Sequence, residues 1–253
     1  MLKTTNSKVV TDLYDDVWNA FDQPMVEEAF QLLLTRILRN NLPIDIFKDK
    51  VVLDMGCGSG RYSIAIKRLG AQKVVGIDLG EGKKISFPGV EYLQASALEL
   101  PFPDNSFDFV FCNGVLHHTT NPLQGIREMY RVMKLGGQGW LFLCGVCKFY
   151  EMLDHVRRHL DPADSKTFRK LLELWLLPVP KQFFLTDLLF VGIRHYFTRE
   201  ELESALTQIG FKELQFLARG VDYDFTEQVY RQPELAEYFN KNGEGDLRFL
   251  MKK

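Results

Sequence analysis

Three glycines at alternate positions, Gly56, Gly58 and Gly60, follow the apolar run VVLDM and precede the amphipathic stretch RYSIAIKRLG. Glycines so placed after a strand let backbone approach a bound molecule closely, because no side chain stands in the way. The spacing is GxGxG, not the GxGxxG of a dinucleotide site, and the lysine of a phosphate-binding loop is missing. Asp54 stands just before the loop, where a carboxylate repels a pyrophosphate and suits a ligand with a cationic amino group. Asp78, in GIDLGE, closes the next apolar run. An acid at that place in a nucleotide-binding half-sheet accepts hydrogen bonds from ribose hydroxyls. A helix cap or a solvated aspartate is the plain alternative.

Only a parallel sheet brings these residues together. Residues 51–55, 73–78, 90–95, 107–113 and 139–144 are short apolar runs rich in β-branched and aromatic residues, as strands buried on both faces require. Residues 61–70 and 121–137 carry helical periodicity and stop on glycine. The GEGKKISFPG link has room for only a very short helix. Strands alternating with helices predict an α/β chain with a doubly wound sheet. Ligands bind at the carboxyl ends of such strands, where Asp54, Asp78, Ser96 and Asn113 converge. Residues 7–40 read as helical ahead of the sheet, with Val26, Ala29, Phe30, Leu33, Leu34, Ile37 and Leu38 on one face. After the fifth strand come proline-interrupted apolar helices, then a helix over 197–210 with a capping box at Thr198 and Glu201. FKELQFLARG and DLRFLMKK read as the last two strands.

Four segments in order, VLDMGCGSG, VVGIDLGE, LELPFPDNSFDFVFCNGVLHH and VMKLGGQG, resemble the class I S-adenosylmethionine-dependent methyltransferases. The likeness is greatest to the group that includes the ubiquinone and menaquinone C-methyltransferases, over residues 48–145 and, less closely, 195–218. The resemblance implies a Rossmann-like sheet of seven strands, the last antiparallel, with helices on both faces and a helical lid insertion. It implies the segments 1–45 (N-terminal helical cap), 46–147 (cofactor-binding core), 148–196 (acceptor-binding lid) and 197–253 (completion of the sheet). It further implies S-adenosyl-L-methionine as cofactor and S-adenosyl-L-homocysteine as product, with no metal. Gly56, Gly58 and Gly60 then lie under the methionine and ribose portions, and Asp54 serves the amino group directly or through water. Asp78 holds the ribose, Leu79, Ala97 and Leu98 flank the adenine, and Asn113, Gly114 and Val115 lie beside the methionine part. The chain departs at Ser96, where the family usually has an aspartate for the adenine amino group, and at Leu135, where proline is usual.

A sulfonium methyl is already electrophilic, so alignment and desolvation are the main tasks, and a base is needed only for a hydroxyl or an acidic carbon. His117 and His118, directly after the fourth strand, are the first candidates, with pocket shaping as their alternative role. Tyr14 is the third, since in similar enzymes an N-terminal Tyr-Asp segment folds over the cofactor; Trp18 beside it is expected to pack. His155 and His159 are four apart, but no third ligand follows, so a solvated basic face is expected rather than a metal site. His195 is expected to be structural, and Cys144 and Cys147 to be free thiols at a strand end.

A net charge of −2 gives no basic field for nucleic acid. No apolar stretch reaches membrane-span length and MLKTTNSKVVTDLYDD lacks a signal core, so a cytoplasmic location is expected. LLELWLLPVP and FFLTDLLFVGI in the insertion suggest a small hydrophobic or aromatic acceptor. Ordinary lid core and an exposed patch for a homodimer or a membrane surface are the competing readings. Small-molecule methyl transfer is thus the leading expectation. Its alternatives are a nucleic-acid or protein methyltransferase, which predicts a basic cleft, and a non-catalytic methyltransferase-like module, which predicts a lost glycine loop.

Overall fold

Period-two alternation decides which side of the sheet each strand residue serves. In β1 (Val51–Met55), Val52 packs with one buried cluster and Leu53 and Met55 with the other. In β4 (Phe107–Asn113), Phe109 and Phe111 face the first cluster and Val110 and Cys112 the second. The first cluster lies under α1 (Gln23–Arg39) and α2 (Arg61–Arg68) and holds Phe47 and the fully buried Trp140. The second lies under α3 (Pro122–Val132) and, beyond the insertion, the helix Arg199–Ile209. The computed structural model describes residues 15, 23–161, 164–177, 179–218, 232, 234, 237 and 245–253.

Seven strands form one sheet: β2 (Lys73–Asp78), β3 (Val90–Gln94), β5 (Met133–Cys144), β6 (Lys212–Phe216) and β7 (Asp246–Lys252) join β1 and β4 in the order β3-β2-β1-β4-β5-β7-β6. The pairs β1–β2, β1–β4, β2–β3 and β4–β5 are parallel, and β7 runs antiparallel to both β5 and β6. This is the doubly wound sheet with an antiparallel last strand that the sequence predicts. Among the described residues the insertion holds α4 (Lys148–Arg157), α5 (Ser165–Leu174) and α6 (Val179–Phe190), and α7 (Arg199–Ile209) follows it. Thr198 and Glu201 cap α7 reciprocally, and Gly210 ends it in the left-handed region at φ 117°.

Two boundaries differ from the expectation. The helix predicted over 121–137 stops at Val132, because Met133 is extended and pairs with Phe107. Gly136 and Gly137 therefore fall inside β5, beside its register irregularity, and are not a helix stop. The link between β2 and β3 holds no helix at all.

Candidate functional site

Gly56 and Cys57 both donate their amides to the Ile77 carbonyl, at 2.8 Å, which closes the loop after β1 onto the end of β2. Asp78 then joins two loops: its Oδ2 accepts from Gly58 N at 2.8 Å and its Oδ1 from Gly80 N at 2.9 Å. A carboxylate offers about four acceptor positions, so roughly two stay available for hydroxyl groups. Gly56, Gly58 and Gly60 have φ of 81°, 55° and 90°, a region that glycine enters without strain. The faces of Gly56 and Gly60 are also covered closely. A Cβ on Gly56 would lie 2.3 Å from Val115 Cγ2, and one on Gly60 would lie 2.0 Å from Tyr92 Oη.

Below the loop, alternation turns Asp54 toward the start of α2, where it is 2% exposed and accepts a 2.6 Å bond from Ser63 Oγ. Burial pushes its carboxyl up to about 7; the Ser63 bond opposes this and the charge of Asp78 adds to it. Asp54 is therefore an acid poised near neutrality, which a nearby cation converts to carboxylate. At the end of β4, Asn113 Oδ1 is buried without a hydrogen-bond partner, and so is Ser59 Oγ in the loop. Buried polar atoms left unpaired in the loop after β1 and at the end of β4 fit a polar ligand that pairs them.

Leu79 is half exposed at the end of β2, as an apolar surface for a ring should be. Ser96 spends its hydroxyl oxygen on the Leu98 amide at 3.1 Å, which shapes the turn carrying Ala97 and Leu98. A residue the sequence reading did not single out, Arg131, fixes the segment that follows. It makes five hydrogen bonds, two to Glu128 and the others to Leu100 O, Phe102 O and Asp104, while Leu100 N donates to Glu128. Asp15 is a second such residue, accepting from Glu81 N at 3.1 Å and Gly82 N at 2.8 Å beside Asp78.

Residues 53–141 match the methyltransferase domain family. A ubiquinone/menaquinone biosynthesis C-methyltransferase of Stenotrophomonas maltophilia is 32% identical over 178 residues, which cover 65% of this chain and 67% of that protein. The chain belongs to the class I S-adenosylmethionine-dependent methyltransferase family. A demethylmenaquinone methyltransferase of Listeria welshimeri is 31% identical over 145 residues, 53% of this chain, and the match spans 61% of that relative's length. The fold agrees: an S-adenosylmethionine-dependent methyltransferase from Mesorhizobium loti superposes with a TM-score of 0.56 at 19% identity, covering 90% of this chain and 100% of that one.

In this methyltransferase-family chain the two histidines after β4 are engaged by their surroundings. His117 is 2% exposed and its Nδ1 accepts from Cys144 N at 3.3 Å, which places the proton of the neutral ring on Nε2. Its carbonyl accepts from His195 N at 2.8 Å. His118 Nδ1 donates to Ile193 O at 2.9 Å, and its Nε2 lies 3.7 Å from Asp187, which is ion-paired to Arg194. Burial holds His117 well below the ordinary histidine range and His118 down to about 4, so both rings are neutral at pH 7. They tie the insertion to the sheet. Tyr14 and Trp18 lie outside the described residues. Cys57, Cys112, Cys144 and Cys147 are buried free thiols. His155 and His159 are both exposed with rings 5.3 Å apart, and no cluster of three metal-ligating side chains occurs among the described residues.

His118→Ala removes the bond to Ile193, worth about 1 kcal/mol. Limited trypsin digestion is expected to cut the 148–194 insertion roughly fivefold faster, with cofactor affinity within about twofold of the parent.

Proposed function

We propose that the chain transfers the methyl group of S-adenosyl-L-methionine to a small hydrophobic or aromatic acceptor and releases S-adenosyl-L-homocysteine. The observation that carries this reading is Asp78, whose carboxylate is bonded to the second glycine of the loop directly above buried, near-neutral Asp54. A nucleoside bearing an amino acid needs that pair: an acceptor for ribose hydroxyls and an anion for an ammonium.

When bound, S-adenosylmethionine supplies an electrophilic sulfonium methyl. The chain's own residues then bind, orient and desolvate. Asp54 takes the amino group and Asp78 the ribose hydroxyls, while Gly56, Gly58 and Gly60 allow the left-handed turns that bring the loop backbone to the ligand. Leu79, Ala97 and Leu98 sandwich the adenine. Ser96, whose oxygen already accepts from Leu98 N, keeps one further lone pair to accept from the adenine amino group, more weakly than an aspartate would. Asn113 offers its unpaired Oδ1, and Gly114 and Val115 wall the methionine side. His117 and His118 stand on the acceptor side as neutral rings, the form in which an imidazole shapes a pocket or takes a proton from an acceptor. The insertion acts as lid over the acceptor. Relatives whose names specify quinone substrates support an apolar aromatic acceptor. The exposed Leu174, Trp175 and Leu176 at the tip of α5 extend that apolar character outward, toward the acceptor or a second copy of the chain. Among the described residues no helix is long and apolar enough to cross a membrane.

Calorimetry with S-adenosylmethionine and S-adenosylhomocysteine tests the cofactor, and transfer of labelled methyl to a panel of quinols and phenols tests the acceptor. Asp78→Ala is expected to weaken both nucleosides about thirtyfold, ~2 kcal/mol for lost charge-assisted bonds. Absence of binding, or binding indifferent to Asp78, overturns the reading.

A further inference from the structure

The amino-acid end of such a cofactor is a zwitterion, and Asp54 answers only its ammonium. The link between β2 and β3 crosses the glycine loop and is held there on both sides of one residue. Ile85 N donates to Ser59 O at 2.9 Å, and Ile85 O accepts from Tyr92 Oη at 2.9 Å, the hydroxyl that covers Gly60. Lys84, the residue before, is thereby placed beside Ser59 and Gly60, ahead of the first turn of α2. Its Nζ is shut off from solvent and has no hydrogen-bond partner. Ser59, 0% exposed, likewise leaves its Oγ unpaired. Gly60 caps α2 without a side-chain hydrogen bond, so no side chain of the cap answers the positive end of that helix. A buried ammonium without an acceptor is costly, and one kept on a segment bonded to the loop that leads into a helix N-terminus fits an anion that pairs it.

We propose that Lys84 binds the α-carboxylate of the cofactor, opposite Asp54, so that the two side chains together recognise the zwitterionic end. This rests on the cofactor reading above. It adds a specificity element that the glycine-loop motif does not contain. The ammonium also bears on the loop itself, since its charge offsets part of the burial that raises the Cys57 thiol.

The test compares S-adenosylhomocysteine with its decarboxylated analogue, which keeps the amino group and the nucleoside. By calorimetry the parent chain is expected to prefer the carboxylate form by at least about tenfold. Lys84→Met is expected to reduce that preference to within about twofold by weakening only the carboxylate ligand, and Lys84→Arg to retain most of it. Lys84→Gln serves as a second variant, and thermal melting checks that each is folded. An undiminished preference in Lys84→Met or Lys84→Gln, or equal weakening of both ligands, overturns the assignment of Lys84 and leaves the cofactor reading standing. Failure of the parent chain to bind either ligand overturns the cofactor reading and Lys84 with it.

Discussion

Gly60→Ala is expected to weaken S-adenosylhomocysteine by more than about a hundredfold while the chain stays folded. Two separate effects combine. At φ 90° an alanine is forced into the left-handed region, which costs roughly 1–2 kcal/mol. Its Cβ would also lie 2.0 Å from Tyr92 Oη and 2.5 Å from Tyr92 Cζ. The ring cannot simply swing aside, because its hydroxyl donates to Ile85 O and Ile85 N in turn holds Ser59 O. Relief therefore comes from moving the loop, and overpacking of that kind costs roughly 1–3 kcal/mol more. The double variant Gly60→Ala with Tyr92→Ala separates the parts: it removes the collision and keeps the φ penalty, so about half of the lost binding free energy is expected to return. Calorimetry on the single and double variants, with melting temperatures as a check, decides it. Gly60→Ala binding within about fivefold of the parent would mean that the loop does not lie against the ligand.

That clash also marks where the sequence stops being informative. Gly56, Gly58, Gly60, Asp54 and Asp78 were legible because each motif is local: a strand, its last acid and the turn that follows occupy consecutive positions. The doubly wound class followed from apolar runs alternating with helical stretches for the same reason, whereas the order of the strands came only with the structure. Tyr92, Ser63 and Lys84 act on the loop from other elements, and no spacing within their own segments announces which loop they will meet. Arg131 and Glu128 sit three apart on α3, where a sequence shows only a helix ion pair. Their hydrogen bonds to Leu100 and Phe102 exist only once β4 and α3 are assembled. VMKLGG was read as a helix end because glycine after a helical period normally stops one; pairing of Met133 with Phe107 won over that local preference. Leu135, the departure from the usual proline, is left 82% exposed there. His117 and His118 were legible as candidate bases because the strand end was visible, while the insertion contacting them was not. Their neutral state is set by burial first and the charge of Arg194 after it, with Asp187 and Ile193 O opposing at His118, all of which are tertiary.

Asp54 gives the second large effect, a cofactor affinity that rises roughly fiftyfold from pH 5 to pH 7 and levels off near pH 8. The unfolded chain ionises this carboxyl near its ordinary value of 3.8, and burial in the folded chain raises it to about 7. Between those values the folded chain carries a proton that the unfolded chain has lost. The stability tied to that proton is complete below pH 4 and declines as pH rises through 7, by roughly a few kcal/mol. An ammonium delivered beside Asp54 favours the carboxylate, so binding below pH 7 releases a proton. Added S-adenosylhomocysteine is therefore expected to raise the melting temperature more at pH 8 than at pH 5, where the unliganded chain has its own advantage. Calorimetry at pH 6 in buffers of different ionisation enthalpy should report close to one proton released. Asp54→Asn keeps the Ser63 bond and removes the titration. It should abolish proton release, flatten the affinity profile, and make the unliganded chain more stable than the parent at pH 8. Other groups titrating in the same range persist in this variant, so the difference between the two profiles belongs to Asp54 alone. An affinity that stays level from pH 5 to pH 8 in the parent chain would place the ammonium elsewhere in the cleft.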